Sequence, residues 1–217
     1  MYSKMIIVSG GSIEDKFAKE WIEQYQPEYI IVADSGMEFM RRVNLMPDMI
    51  IGDFDSVASE TLRFFEEQEG IIFKELNPIK DDTDTEFAIR QAISLGTKEI
   101  TVLGATGTRL DHVLGNVALL GIGLKEQINI QLVDAHNRIR MINKPLKLKK
   151  EEQFGGFVSL LPYAGEVKGV TLKGFKYLLE NFTMESFSSL GISNEIVDNQ
   201  AEILLEDGFL VVIESRD

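Results

Sequence analysis

The stretch Tyr29–Ser56, YIIVADSGMEFMRRVNLMPDMIIGDFDS, decides how the first half of this chain folds. Tyr29–Ala33 is an unbroken apolar run of strand length that stops at Asp34-Ser35-Gly36. Met37–Val43 then takes up helical spacing. Met49–Ile51 is a second short apolar run, closed by Gly52-Asp53-Phe54-Asp55-Ser56. Strand, glycine- or aspartate-bearing loop, helix, strand is the repeating unit of a parallel sheet covered by helices.

The same unit recurs on either side. Upstream, Met5–Val8 reads as a strand entering Ser9-Gly10-Gly11, and Phe17–Gln24 as a helix. Downstream, Ser59–Gln68 is helix-like with Gly70 beyond its end, and Ile71–Phe73 is strand-like. Thr83-x-x-Glu86 is a capping-box signature that opens a helix through Leu95, stopped by Gly96. Glu99–Leu103 is a further strand, followed by Gly104-Ala105-Thr106-Gly107 and a helix from about Asp111 to Leu120. In open sheets of this kind ligands bind outside the carboxyl ends of the strands, which is where these loops fall.

After about residue 125 the texture changes. Asn129–Asp134, Asn137–Ile142, Phe157–Leu161, Gly169–Leu172, Ala201–Leu205 and Phe209–Ile213 are short strand-like runs divided by turn residues. Glu206-Asp207-Gly208 reads as the turn of a hairpin joining the last two. The expectation is therefore an α/β N-terminal domain with a largely parallel sheet over residues 1–127, and a small all-β, sandwich-like domain over residues 128–217.

Composition excludes several classes of function. The 217 residues contain no cysteine and only His112 and His136, so disulfides, thiolate zinc sites and histidine-rich metal sites are excluded. A formal net charge of −13, with no basic cluster beyond the alternating KPLKLKK of Lys144–Lys150, argues against nucleic-acid binding. That lysine run reads as an exposed strand. No apolar stretch approaches the roughly 18 residues of a membrane span, and the N-terminal apolar run is too short for a signal peptide. These features point to a cytoplasmic protein.

The acids cluster in four segments: Asp34, the pair Asp53/Asp55, the run Asp81-Asp82-Thr83-Asp84, and Asp111. Within Asp53-Phe54-Asp55 an extended backbone puts both carboxylates on one side and Phe54 on the other. Aspartates also serve turns and helix caps, and Asp82 or Thr83 can simply cap the helix. Capping needs one such residue per helix, however, and these loops supply more acid than that. Left unpaired, the carboxylates would repel one another. Hard oxygens gathered in this way suit Mg²⁺, which shares its coordination between one or two carboxylates, water and substrate phosphates. The glycines of Gly104-x-x-Gly107 permit close backbone approach, Arg109 can hold a phosphate in bidentate fashion, and the following helix offers amides to an anion. No Gly-Lys-[Ser/Thr] follows Gly107, so the loop is not a Walker A motif. His112 has two readings, a base or a histidine bonded into the shell around Asp111.

In order, Ala33-Asp34-Ser35-Gly36, Pro47-Asp48 leading into Ile51–Ser56, Lys80–Asp84, Gly104-x-x-Gly-x-Arg-x-Asp-His and Ser189–Glu195 resemble the thiamine pyrophosphokinase family over nearly the whole chain. The resemblance implies transfer of the β,γ-pyrophosphoryl unit of ATP to the hydroxyethyl oxygen of thiamine, giving thiamine diphosphate and AMP. It implies ATP and Mg²⁺ on the α/β domain and thiamine contacts from the β domain of a homodimer. By position, Asp53, Asp55, Asp81 and Asp84 would hold Mg²⁺, with Asp111 close by and Arg109 on the phosphates. Asp34, Gly104, Gly107 and His112 would border the nucleotide, and Ser193 and Asn194 would face thiamine. A carboxylate among Asp81–Asp84 or Asp111 would orient the attacking hydroxyl. Ser35 stands where the family more often has glycine. The alternatives are a Mg²⁺-dependent nucleotide or sugar-phosphate phosphohydrolase, and a nucleotide-sensing module without catalysis.

Overall fold

A computed structural model describes residues 2–76 and 82–217. The chain divides into two units, 1–135 and 136–217.

In the first unit the apolar runs become the strands β1 (Lys4–Val8), β2 (Tyr29–Ala33), β3 (Met49–Gly52), β4 (Ile72–Glu75), β5 (Glu99–Leu103) and β6 (Asn129–Val133). All pair in parallel, in the order β4-β3-β2-β1-β5-β6. Met5, Ile6, Ile7 and Val8 are all fully buried, the pattern of a strand covered on both faces. The covering helices are α1 (Asp15–Tyr25), α2 (Gly36–Arg42), α3 (Ser59–Glu66), α4 (Asp84–Ser94) and α5 (Leu110–Glu126). Strand order runs outward from β1 to β4 and then returns to the other side of β1 with β5. That reversal is a topological switch point, where the loops leaving β1 and β5 turn to opposite sides and open a crevice.

One boundary differs from the sequence reading. The sequence pattern places the run beginning at Asn129 in the β domain, but as β6 it pairs in parallel with β5, from Glu99↔Asn129 to Leu103↔Val133. Its brevity hid its partner. Five residues with strand texture look the same in a parallel or an antiparallel sheet, and α5, which runs on to Glu126, supplies the crossover.

The second unit contains β7 (Asn137–Ile142), β8 (Leu146–Lys149), β9 (Phe157–Lys173), β10 (Leu179–Met184), β11 (Gln200–Leu204) and β12 (Asp207–Ser215), all antiparallel. The order is β7-β12-β9-β11-β8, with β10 also on β9. The two expected runs Phe157–Leu161 and Gly169–Leu172 are parts of one strand, β9. Its first part pairs with β12 and its last part with β10 and β11, so it is shared by two sheets. Val158, Leu160, Val170, Leu172, Ile203 and Val212 lie in the core between them.

The expected hairpin at Glu206-Asp207-Gly208 does not form. β11 and β12 are both antiparallel to β9 and so run in the same direction, one after the other: Leu204 pairs with Thr171 and Asp207 with Lys168. The Glu206 N–H donates to the Lys168 carbonyl at 2.9 Å, and Gly208 at φ 103° shifts the register rather than reversing the chain. Among the described residues no helix is long and apolar enough to cross a membrane.

Candidate active site

The loops at the carboxyl ends of β1, β2, β3 and β5, with the first turns of α4 and α5, line a cleft of about 690 Å³ at the switch point. Close backbone approach builds its floor. A Cβ on Gly104, at φ 68°, would collide with the Ser9 carbonyl, so only glycine lets the β1 and β5 loops meet.

Asp34, directly after β2, adopts φ 44° and its N–H donates to the Ile51 carbonyl at 2.8 Å, which hangs the β2 loop on the end of β3. Gly52 leaves the room for this, since a Cβ there would lie 3.2 Å from Asp34 Cα. The Ser56 hydroxyl donates to Asp34 Oδ2, while Oδ1 is buried without a hydrogen-bond partner. A buried carboxylate oxygen with no partner is costly, and it marks the place a cation or donor would fill. Phe54 is left-handed, φ 62°, rather than extended, and its ring packs edge-on against Phe73 at 6.2 Å. Asp53 and Asp55 line the cleft on either side of it.

Asp34, Asp53 and Asp55 can each turn one oxygen to within 4.8 Å of the others. Their proximity is visible in proton affinity. The Asp53 charge and hydrogen bonding to Asp53 hold the Asp55 carboxyl above its usual range, with slight desolvation, Asp34 and Asp84 adding to it. The expected ligand set was Asp53, Asp55, Asp81 and Asp84. Among the described residues the carboxylates brought together are Asp34, Asp53 and Asp55, where the loops after adjacent strands β2 and β3 are tied directly to each other. Asp84 lies on the same cleft but in the first turn of α4, outside the trio. Asp81 falls outside the described residues.

Gly104, Gly107, Arg109 and His112 also line the cleft. Asp111 does not. It turns back onto Arg109, whose Nη2 and Nε donate to its two oxygens at 2.5 and 3.3 Å, and this pairing pulls the Asp111 carboxyl below the usual range. Residues assigned no role from the sequence also line the cleft: Ser9, Ser12, Ser35, Ser56, Thr85 and Asn116. The Ser9 and Thr85 hydroxyls are 2.9 Å apart, and Asn116 Nδ2 donates to the Ala105 carbonyl at 2.7 Å, bracing the glycine loop. Asn116 follows His112 by four residues, the spacing of one helix face, which was a usable signal. Ser35 fits because Gly10 opposite it has no side chain: a Cβ at Gly10 would collide with Ser35 Oγ.

The sequence pattern described as "Thiamin pyrophosphokinase, catalytic domain" matches residues 21–132, and that described as "Thiamin pyrophosphokinase, vitamin B1 binding domain" matches residues 145–210. A thiamine pyrophosphokinase of Bacillus subtilis (strain 168) is 32% identical over 187 residues, covering 86% of this chain and 87% of that protein. The chain belongs to the thiamine pyrophosphokinase family.

Solved structures of the family agree over the full length. A Bacillus subtilis thiamine pyrophosphokinase superposes with a TM-score of 0.87 at 31% identity, covering 99% of this chain and 100% of that one. A Geobacillus thermodenitrificans thiamin pyrophosphokinase gives 0.85 at 29%, covering 99% and 98%. The family performs ATP-dependent pyrophosphoryl transfer to thiamine. The two family matches fall on either side of the division at 135/136, and Ser9–Ser12 precede the catalytic match.

Within the vitamin B1 match, Ser193 and Asn194 part company. Ser193 is exposed at φ 57°, with its N–H donating to Ser159 Oγ at 3.0 Å. Asn194 is only 6% exposed. Its Oδ1 accepts from the Tyr177 and Glu195 N–H groups at 3.0 and 2.9 Å, and its Nδ2 donates to the Tyr177 carbonyl at 2.7 Å. The side chain expected to face a ligand is turned inward, where it holds the turn that presents Ser193. Of the aromatics in this region, Phe175 is buried at 3% exposure, whereas Tyr177 and Phe187 are exposed.

Proposed function

We propose that this chain transfers the pyrophosphoryl unit of ATP to the hydroxyethyl oxygen of thiamine at the cleft of the first unit, with Mg²⁺ held by Asp34, Asp53 and Asp55. The observation that carries the site is the trio of carboxylates within 4.8 Å of one another, with Asp34 Oδ1 buried and unpartnered. Hard oxygen donors on a semi-rigid loop pair suit Mg²⁺, which retains water and phosphate ligands beside one or two carboxylates. Bound there, the cation would neutralise charge on the ATP phosphates.

The remaining chemistry falls to positioning and charge. The thiamine oxygen attacks the β-phosphorus, the bond from the β-phosphorus to the oxygen of the α-phosphate breaks, and AMP leaves with that oxygen. Arg109 would exchange Asp111 for phosphate oxygens as the nucleotide enters. Asp84, at the cleft and close enough to Asp55 to raise its proton affinity, is the candidate for accepting the hydroxyl proton. Asp81 is a second candidate from the sequence alone. Ser193 would contact thiamine from the second unit, with Asn194 fixing the turn. A homodimer and a cytoplasmic setting complete the proposal.

Incubation with ATP, Mg²⁺ and thiamine should give thiamine diphosphate and AMP, with AMP appearing only when thiamine is added. Formation of ADP and thiamine monophosphate would overturn the pyrophosphoryl step. Phosphate release without thiamine would point to a phosphohydrolase, and ATP binding without turnover to a sensing module.

A further inference from the structure

The loop bearing Asp53 and Asp55 ends at α3, and α3 lacks a cap of its own. Its N-cap residue is Ala58, which has no side-chain oxygen to offer. The oxygens come instead from α2. Glu38 Oε1 accepts from the Ala58 N–H at 3.0 Å and Oε2 from the Thr61 hydroxyl at 2.8 Å. Thr61 is fully buried, and its oxygen also accepts from Arg41 Nη1 at 2.9 Å. Arg41 reaches on to Glu60 at 3.0 Å.

Glu38 follows Asp34 by four residues, and both grip the same loop: Asp34 through the Ser56 hydroxyl, Glu38 through the Ala58 N–H. Between the grips and β3 lies Phe54 at its left-handed φ of 62°, flanked by two carboxylates that repel each other. A loop under that repulsion relaxes unless both ends are fixed.

We propose that Glu38 is a positioning residue for the divalent-cation site, acting by capping α3 from α2 so that Asp53 and Asp55 stay within reach of Asp34. The inference rests on the cation site proposed above. It concerns a residue that touches neither cation nor substrate, and its effect runs through the loop alone.

The test is Mn²⁺ binding to the full-length chain without nucleotide, followed by electron paramagnetic resonance well below the melting temperature of every variant. Glu38→Ala should weaken Mn²⁺ binding by ~10-fold or more, the scale seen when groups supporting metal ligands are lost. Glu38→Gln keeps an oxygen for the Ala58 N–H, the bond on which the loop position depends, although its amide can only donate to the Thr61 oxygen and not accept from it, so its affinity should stay close to the parent's. A loss of stability alone would not move the affinity of the folded protein. Should Glu38→Ala fail to fold, Ala58→Pro serves: φ is already −62°, as in proline, and the change removes the N–H that donates to Glu38. Unchanged Mn²⁺ affinity in a folded variant lacking this bond overturns the proposal. Asp53→Asn is the control: if it binds Mn²⁺ as the parent does, the cation site itself is refuted and the role of Glu38 with it.

Discussion

Asp55 sits where the needs of a stable fold and of a cation site conflict. Its carboxyl holds its proton to higher pH than an ordinary aspartate because Asp53, and behind it Asp34 and Asp84, are negative as well. Between the usual value of 3.8 and the raised one, the folded chain binds more protons than the unfolded chain, so stability falls as pH rises through that window. Asp55→Asn removes the repulsion. In the absence of divalent metal its melting temperature near neutral pH should exceed the parent's, while thiamine diphosphate formation should drop by at least ~100-fold. Mg²⁺ should raise the parent's melting temperature and leave that of the variant nearly unmoved. Two melting curves and one product assay decide the matter. At this scale the motif residues were legible, since Asp53, Asp55, Asp84, Arg109 and His112 all reach the cleft. The direction of Asp111 was not. Two residues from Arg109, it is within reach of that guanidinium, and local pairing at the start of α5 turned it away.

Among elements, α4 shows how far a local signal carries. Thr83 caps it as the sequence predicts, its hydroxyl oxygen accepting from the Glu86 N–H at 3.2 Å. The Glu86 side chain, however, serves Arg90 one turn on, at 2.6 Å, so only half of the capping box forms. Thr83→Ala should cost about 1 kcal/mol in urea denaturation and Thr83→Ser much less. The β7–β12 pair poses a different case. Glu214 on β12 is fully buried between Arg138 and Arg140 of β7, with Arg138 donating at 2.7 and 2.9 Å. Burial alone would push this carboxyl up, but the two guanidinium groups outweigh it and hold it below the usual glutamate value of 4.5. A depressed carboxyl stabilises the fold above the unfolded value and loses that contribution as pH falls through the folded one. Glu214→Gln should therefore cost roughly 3–5 kcal/mol at pH 7, because it removes the buried carboxylate that both guanidinium groups share. The gap between parent and variant should close as pH falls below about 4.5. Denaturation curves at a series of pH values check both statements.

For the whole molecule, the division at 135/136 and the parallel pairing of β6 with β5 make a prediction about truncation. A fragment of residues 1–135 keeps β6 and should melt cooperatively. A fragment of 1–127, cut at the boundary read from sequence, loses β6 with its buried Ile130, Leu132 and Val133 and should not. Circular dichroism melts of the two fragments separate the cases. The sequence by itself determined the class of each half, since unbroken apolar runs separated by helical spacing have few stable arrangements. It also determined where chemistry would gather, since strand ends in such a sheet are where loops can carry ligands. Tertiary structure alone decided that Asp34 joins Asp53 and Asp55, that Asn194 turns inward, that β11 and β12 follow one another along β9, and that α3 is capped by Glu38. Each of these depends on residues distant in sequence meeting in space. Local spacing encodes which way a segment folds, and the partner it meets there is set by strand order and packing.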